Sequence, residues 1–159
     1  GFTKQLYESG FQANGGTLSC VYWDENTPFY VAPEELEGAY SCLDYFHNVN
    51  DAFGKKLLAD YNAMWKDTPY QLTAGSASTG VYRAVKLYEQ AVINTNGEVA
   101  REAVSAALEN VSIDQGPGGG YRVVPGTGHV EMNMYIAQAQ GGQWNILSSS
   151  NSVPPNECA

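Results

Sequence analysis

The chain has 159 residues, 43% hydrophobic and 16% charged, with 17 acidic against 8 basic side chains and a formal net charge of −9. That length fits one domain or two small lobes, and a globule of this size hides roughly 70% of its unfolded surface. The acidic balance, with no basic run to offset it, argues against nucleic acid or an anionic bilayer as partner, since both need a cationic patch. No apolar run approaches the roughly 20 residues that span a bilayer. The three cysteines form no CxxC and only two histidines accompany them, so neither a structural zinc site nor another metal or cofactor is expected.

In chain order, Phe2–Ser9 reads as a short helix with Gly10 as its left-handed stop. Thr17–Trp23, "TLSCVYW", reads as a buried strand, and the polar loop after it has room for one helical turn near Glu34–Leu36. Ala39–Phe46 is an aromatic-rich second strand. Cys20 and Cys42 fall in these two runs as buried thiols, or as a disulfide if the strands are neighbours. Asn50 caps a helix carrying Phe53, Leu57, Tyr61, Met64 and Trp65 at three- and four-residue spacing. Lys66–Leu72, with Pro69, is a crossing linker. A long helix from Ser76 to Ile93 follows, with Ala77, Val81, Ala84, Val85, Tyr88, Ala91 and Val92 as the buried stripe. Asn96 caps a third helix through Leu108, built on Val99, Ala103, Val104 and Ala107. Beyond Asn110 the period falls to two: Val130, Met132, Met134 and Ile136 alternate with their neighbours, and Gly141-Gly142 turns the chain into a last strand. Residues 148–159 read as a flexible polar tail.

Three patterns invite a chemical reading. The glycines of "DQGPGGGYRVVP" lie between a helix and a strand, whereas a phosphate loop needs Lys and Ser/Thr opening a helix, so they are expected to turn the chain into a hairpin. Ser76, Ser78 and Thr79 lie at a helix start, where hydroxyls cap amides; no GxSxG elbow supports a nucleophile, and His129 reads as a solvated turn residue. Tyr22, Trp23, Asp24 and Glu25 follow a strand end, where ligands collect in α/β sheets. Aromatic faces beside carboxylates can hold an amine, amide or ammonium. The same two rings could equally pack beneath the next helix, and the sequence leaves both readings open.

The order "EGAYSCLDYF", "TAGSASTGVYRAVKLYEQAV", "GPGGGYRVVPGTGHVEMNMYIAQAQGGQWNIL" resembles the C-terminal part of type I periplasmic binding proteins, and most of all their urea, short-chain amide and branched-chain amino acid branch. Glu37-Gly38, Tyr45-Phe46, Tyr82–Val92, Gly116-Pro117, Arg122, Pro125, Tyr135-Ile136, Gly142-Gln143 and Ile146-Leu147 carry the likeness. It implies an α/β chain that is one portion of a two-lobed clamshell, a fragment of a longer protein. Residues 1–68 would belong to the second lobe, 69–110 would be helices returning to the first, 111–147 would be closing strands of the second, and 148–159 the tail. The implied protein is not an enzyme. It binds a small amide, urea-like compound or amino acid in an interlobe cleft, with Tyr22, Trp23, Asp24 and Glu25 as contacts, and hands it to an ABC transporter permease in the membrane. Bulky Tyr22-Trp23 stands where the family often has smaller residues. The location implied is periplasmic or cell-surface. A cytoplasmic amide-sensing regulator of the same fold and a serine hydrolase are the competing readings. Without its first lobe the chain would expose the stripe of the Ser76–Ile93 helix, favouring a dimer or association with the N-terminal part.

Overall fold

A computed structural model describes residues 1–69 and 72–156. Residues 70–71 of the expected linker and 157–159 of the expected tail, with Cys158, lie outside it. The helices are α1 (Phe2–Glu8), α2 (Pro33–Leu36), α3 (Ala52–Trp65), α4 (Ser76–Asn94) and α5 (Arg101–Leu108). The strands are β1 (Ser19–Cys20), β2 (Tyr40–Leu43), β3 (Ser112–Ile113), β4 (Tyr121–Val124), β5 (His129–Gln140) and β6 (Gln143–Val153).

The long strand β5 organises the sheet. β4 pairs with its first residues, His129–Met132, and β2 with Tyr135–Gln138, both antiparallel. β6 runs antiparallel along the opposite edge, through two bulges. β1 joins β2 in parallel and β3 joins β4 in antiparallel, giving the order β1-β2-β5-β4-β3.

Because side chains alternate along a strand, β5 serves two separate hydrophobic clusters. Its odd residues Tyr135, Ala137 and Ala139 join Leu36, Leu43, Phe46, Val49 and Trp144. Its even residues Val130 and Met132 pack against the cluster of Leu87, Ala91, Val104, Val111 and Tyr121. β3, β4 and the start of β5 pack with α4 and α5, and the remainder of β5 packs with β2. Ile136, of the alternating row Val130, Met132, Met134 and Ile136, is exposed, because the cluster at that level lies on the other face.

Several elements depart from expectation for local reasons. β1 stops at Cys20, and Val21 and Tyr22 project into solvent with no ladder partner. Cys20 lies opposite Ser41, so its neighbour Cys42 points to the other face; both thiols are free. Asp51, not Asn50, caps α3, accepting from the amides of Phe53 and Gly54, while Asn50 accepts from Lys55. Only Gly54 of α3 is buried, and Met64 and Trp65 are exposed. Asn96 holds a left-handed backbone at φ 56 after α4 instead of capping α5, which starts at Arg101. The expected tail is strand as far as Val153, which pairs with Met132. Gly141 and Gly142, with φ 58 and 78, make the two-residue hairpin turn the sequence predicts.

The sharpest reversal is in α4. Ser76, Thr79, Arg83, Leu87 and Ala91 are buried, whereas Val81 (67% exposed), Val85 (60%) and Tyr88 (49%) from the predicted core stripe face outward. The face with fewer apolar residues is anchored by polar bonds, while Val81, Val85 and Tyr88 stay largely exposed among the described residues.

Candidate functional site

The two clusters meet at the end of β2, and the segments that cross between them are tied together there. Asp44 accepts a hydrogen bond from the Ser76 hydroxyl at 2.5 Å and forms an ion pair with Arg83. Arg83 in turn donates to the carbonyl of Pro117, and burial draws its guanidinium down to about 10, still fully charged at neutral pH. Gly118 sits against the Asp44 carbonyl with φ +78, where a Cβ would collide with that oxygen. Its amide donates to Asp51 Oδ2 at 3.0 Å, and its carbonyl accepts from Asn133 Nδ2 at 3.0 Å and the Tyr135 hydroxyl at 2.8 Å. The loop after β2, the start of α4, the glycine loop and the middle of β5 therefore share one knot. An amide already held by a carboxylate is not a phosphate cradle, so the glycine loop serves this junction.

The neighbouring loop after β1 makes a second set of ties. Asn26 binds the backbone of Thr73 in both directions, donating to its carbonyl at 3.2 Å and accepting from its amide at 2.8 Å. The His47 amide donates to Glu25 Oε1 at 2.5 Å, and the His47 ring nitrogen Nε2 lies 3.2 Å from the Ala74 carbonyl and 3.4 Å from the Thr73 hydroxyl. Ser76 thus bonds Asp44, and His47 faces Thr73 and Ala74: the two do not form the serine–imidazole pair a hydrolase would need. Nor do the hydroxyls of Ser76 and Thr79 cap α4, whose N-cap is Gly75; Thr79 bonds back to the carbonyl of Ser76.

The four predicted contacts separate. Tyr22 is 85% exposed just past the carboxyl end of β1. Trp23 packs partly against the first cluster, and its carbonyl accepts from the Ser41 hydroxyl at 2.7 Å. Asp24 is buried and structural: Oδ1 accepts from the Asn26 amide, Oδ2 from the Asn26 side chain, and its carbonyl from the Trp144 indole at 2.9 Å. Both of its carboxylate oxygens are thus bonded within their own loop. Glu25 lines a pocket of about 270 Å³ with Pro28, His47, Asn48, Gly142, Gln143 and Trp144. Burial raises the Glu25 pKa, opposed by the neighbouring His47 ring and the hydrogen bond from the His47 amide.

Sequence reasoning missed Asp44, Asn48, Arg83 and Trp144, and weighed His47 only as the imidazole a serine would need. Arg83 alone carried a signal, as a cation between Tyr82 and Ala84 in an otherwise apolar stretch of helix.

Residues 1–143 match the family described as periplasmic binding protein. The chain belongs to that family. No curated protein matches it, but solved structures of periplasmic binding proteins do. One is the solute binding protein of an ABC transporter from Rhodopseudomonas palustris BisB5 in complex with 3,4-dihydroxybenzoic acid, with TM-score 0.78 and 21% identity over 96% of this chain and 42% of that one. Another is an amino acid ABC transporter substrate-binding protein from Pseudomonas fluorescens Pf-5, with TM-score 0.72 and 16% identity over 96% and 41%. A third is a leucine binding protein from Thermotoga maritima MSB8, with TM-score 0.67 and 16% identity over 94% and 41%. At such identities the likeness is one of fold, that of a type I periplasmic binding protein. The chain spans about two fifths of the length of these structures, 41–42%. Its two clusters and the knot between them are the portion of the periplasmic binding protein fold it supplies.

Proposed function

We propose that this chain is the C-terminal part of an exported solute-binding protein that closes over a small molecule and presents it to an ABC transporter permease, without altering it. The observation that supports this most is the arrangement at the seam: two hydrophobic clusters, sharing strand β5 and tied by the crossing segments, converge near the ends of the parallel pair β1 and β2, where Tyr22 stands exposed. An exposed ring at a strand end, next to a junction between packing units, is suited to grip a ligand on closure.

In this reading residues 1–68 and the sheet from about Tyr135 onward form one lobe, and the stretch from α4 to Met132 belongs to the other. The outward face of α4, with Val81, Val85 and Tyr88, packs on the part of that lobe which this chain does not span. A second copy is the alternative cover for the same face. The solute is a small amide, urea-like compound or amino acid. Tyr22 suits a planar group, and the names of the structural neighbours include a dihydroxybenzoic acid complex and a leucine binding protein.

A thermal-shift screen of the complete two-lobed protein against urea, short amides, amino acids and hydroxybenzoates tests this. One class should raise the melting temperature at millimolar concentration, since ligand at 100 times its Kd adds about 2.7 kcal/mol. No shift with any of them would contradict the reading.

A further inference from the structure

The crossing into α4 ends in a short strap, residues 73–75, whose backbone is held by side chains from both strand-end loops. Asn26, in the loop after β1, meets Thr73 as a neighbouring strand would: its side-chain oxygen accepts from the Thr73 amide at 2.8 Å, and Nδ2 donates to the Thr73 carbonyl at 3.2 Å. His47, in the loop after β2, places Nε2 3.2 Å from the Ala74 carbonyl. Gly75 lies so close to the loop after β1 that a Cβ on it would collide with Asp24 Oδ2. Its φ of −85 is open to any residue, so glycine is needed there for space alone. Asp24 in turn accepts from the Asn26 amide at 2.9 Å. The strap is thus fitted to the loop that carries Tyr22 in two ways, by a pair of hydrogen bonds at Thr73 and by close approach at Gly75.

We propose that Asn26 is a positioning residue that couples the loop after β1 to this strap, so that the arrangement of the loop and the backbone angles of the crossing change together. The purpose of the coupling rests on the solute-binding reading: a solute that steadies Tyr22 and its neighbours would, through Asn26, favour one setting of the crossing and with it one angle between the two hydrophobic clusters. A side-chain amide that both donates to and accepts from one residue fixes the orientation of that stretch of backbone, whereas a single bond would let it turn. The further bond of Asn26 Nδ2, to Asp24 Oδ2 at 3.4 Å, stays within its own loop, so the reach of this side chain is spent on Thr73. Neither hydrophobic cluster includes Thr73, Ala74 or Gly75. The strap is therefore placed by polar bonds and close approach, and it can shift without either core coming apart.

The test is amide hydrogen exchange of the full chain, resolved by NMR and run without solute. Asn26→Ala, a change in the loop, should speed exchange of the Thr73 amide at least tenfold. Gly75→Ala, a change in the strap, should speed exchange of the Asn26 and Thr27 amides, which are held by the Asp24 carboxylate and carbonyl, at least threefold, because coupling is reciprocal. The amides of Tyr40 and Val123, which donate to the carbonyls of Leu18 and Val111, report on the sheet at either side of the seam and should stay within twofold in both variants. An unchanged Thr73 rate in Asn26→Ala, or unchanged loop rates in Gly75→Ala, would overturn the proposal. Faster exchange at Tyr40 and Val123 in step with Thr73, or a failure of Asn26→Ala to fold, would overturn it as well, by showing an ordinary structural tie. Since no solute enters the test, its failure leaves the solute-binding reading standing, and a failed solute screen alongside the expected rates removes that reading and leaves the coupling.

Discussion

Asp44, one residue past β2, and Arg83, in the middle of α4, form an ion pair that is almost entirely shielded from water. The pair joins the two hydrophobic clusters at the point where the chain crosses between them. Breaking it by one substitution leaves a buried charge without its partner. Arg83→Met or Asp44→Leu should each cost about 3–5 kcal/mol, and the double variant should cost less than the sum. Urea unfolding of the four proteins measures this. Single variants within 1 kcal/mol of the parent would show that the pair is not a structural tie.

Gly118 packs against the same junction. Its left-handed backbone at φ +78 and the adjacent Asp44 carbonyl leave no room for a methyl group. Gly118→Ala should destabilise by more than the about 1–3 kcal/mol of backbone strain alone. Gly97→Ala, at φ +90 but with open space around it, should show the strain only. Equal losses at the two positions would contradict the close approach.

Glu25 gives a pH signature. Burial raises its folded-state pKa above the ordinary 4.5. The folded protein therefore holds that proton more tightly than the unfolded chain, and this group lowers stability as pH rises from about 4.5 through the raised value. Glu25→Gln removes the titration, so its stability should fall less than the parent's across that window. Parallel stability–pH curves for the two proteins would contradict the burial of this carboxyl.

The outward face of α4 predicts a surface effect without a folding effect. Val81→Lys with Val85→Glu changes two exposed positions, so the unfolding free energy should move by no more than about 0.5 kcal/mol per site. Self-association of the chain, read by sedimentation, should fall. A loss of several kcal/mol would mean that this face is buried within the chain after all.

The sequence was most legible where local chemistry decides the outcome. The Gly141-Gly142 hairpin, the Gly10 stop, the α4 span and the period-two strand β5 follow from turn geometry and periodicity. It was least legible where the outcome depends on what lies opposite. The α4 stripe was assigned inward because apolar spacing says only that a face seeks cover, and Arg83 reversed the choice by pairing with a residue 39 positions away. Asp24 and Glu25 read alike as adjacent carboxylates. Asn26 and the indole of Trp144 made one structural, while the pocket claimed the other, and no local signal separates them. Asn48 carries no local signal because its partner, Trp144, belongs to a distant segment.

The central claim is that a solute is gripped at the seam beside β1, and titration calorimetry of the best ligand from the screen into the complete protein and its Tyr22→Ala variant tests it most directly. The account predicts measurable binding by the parent and a loss of about 1 kcal/mol or more in the variant, roughly fivefold or greater in Kd, as expected for an aromatic contact at a binding surface. Equal affinity in the two proteins would contradict it.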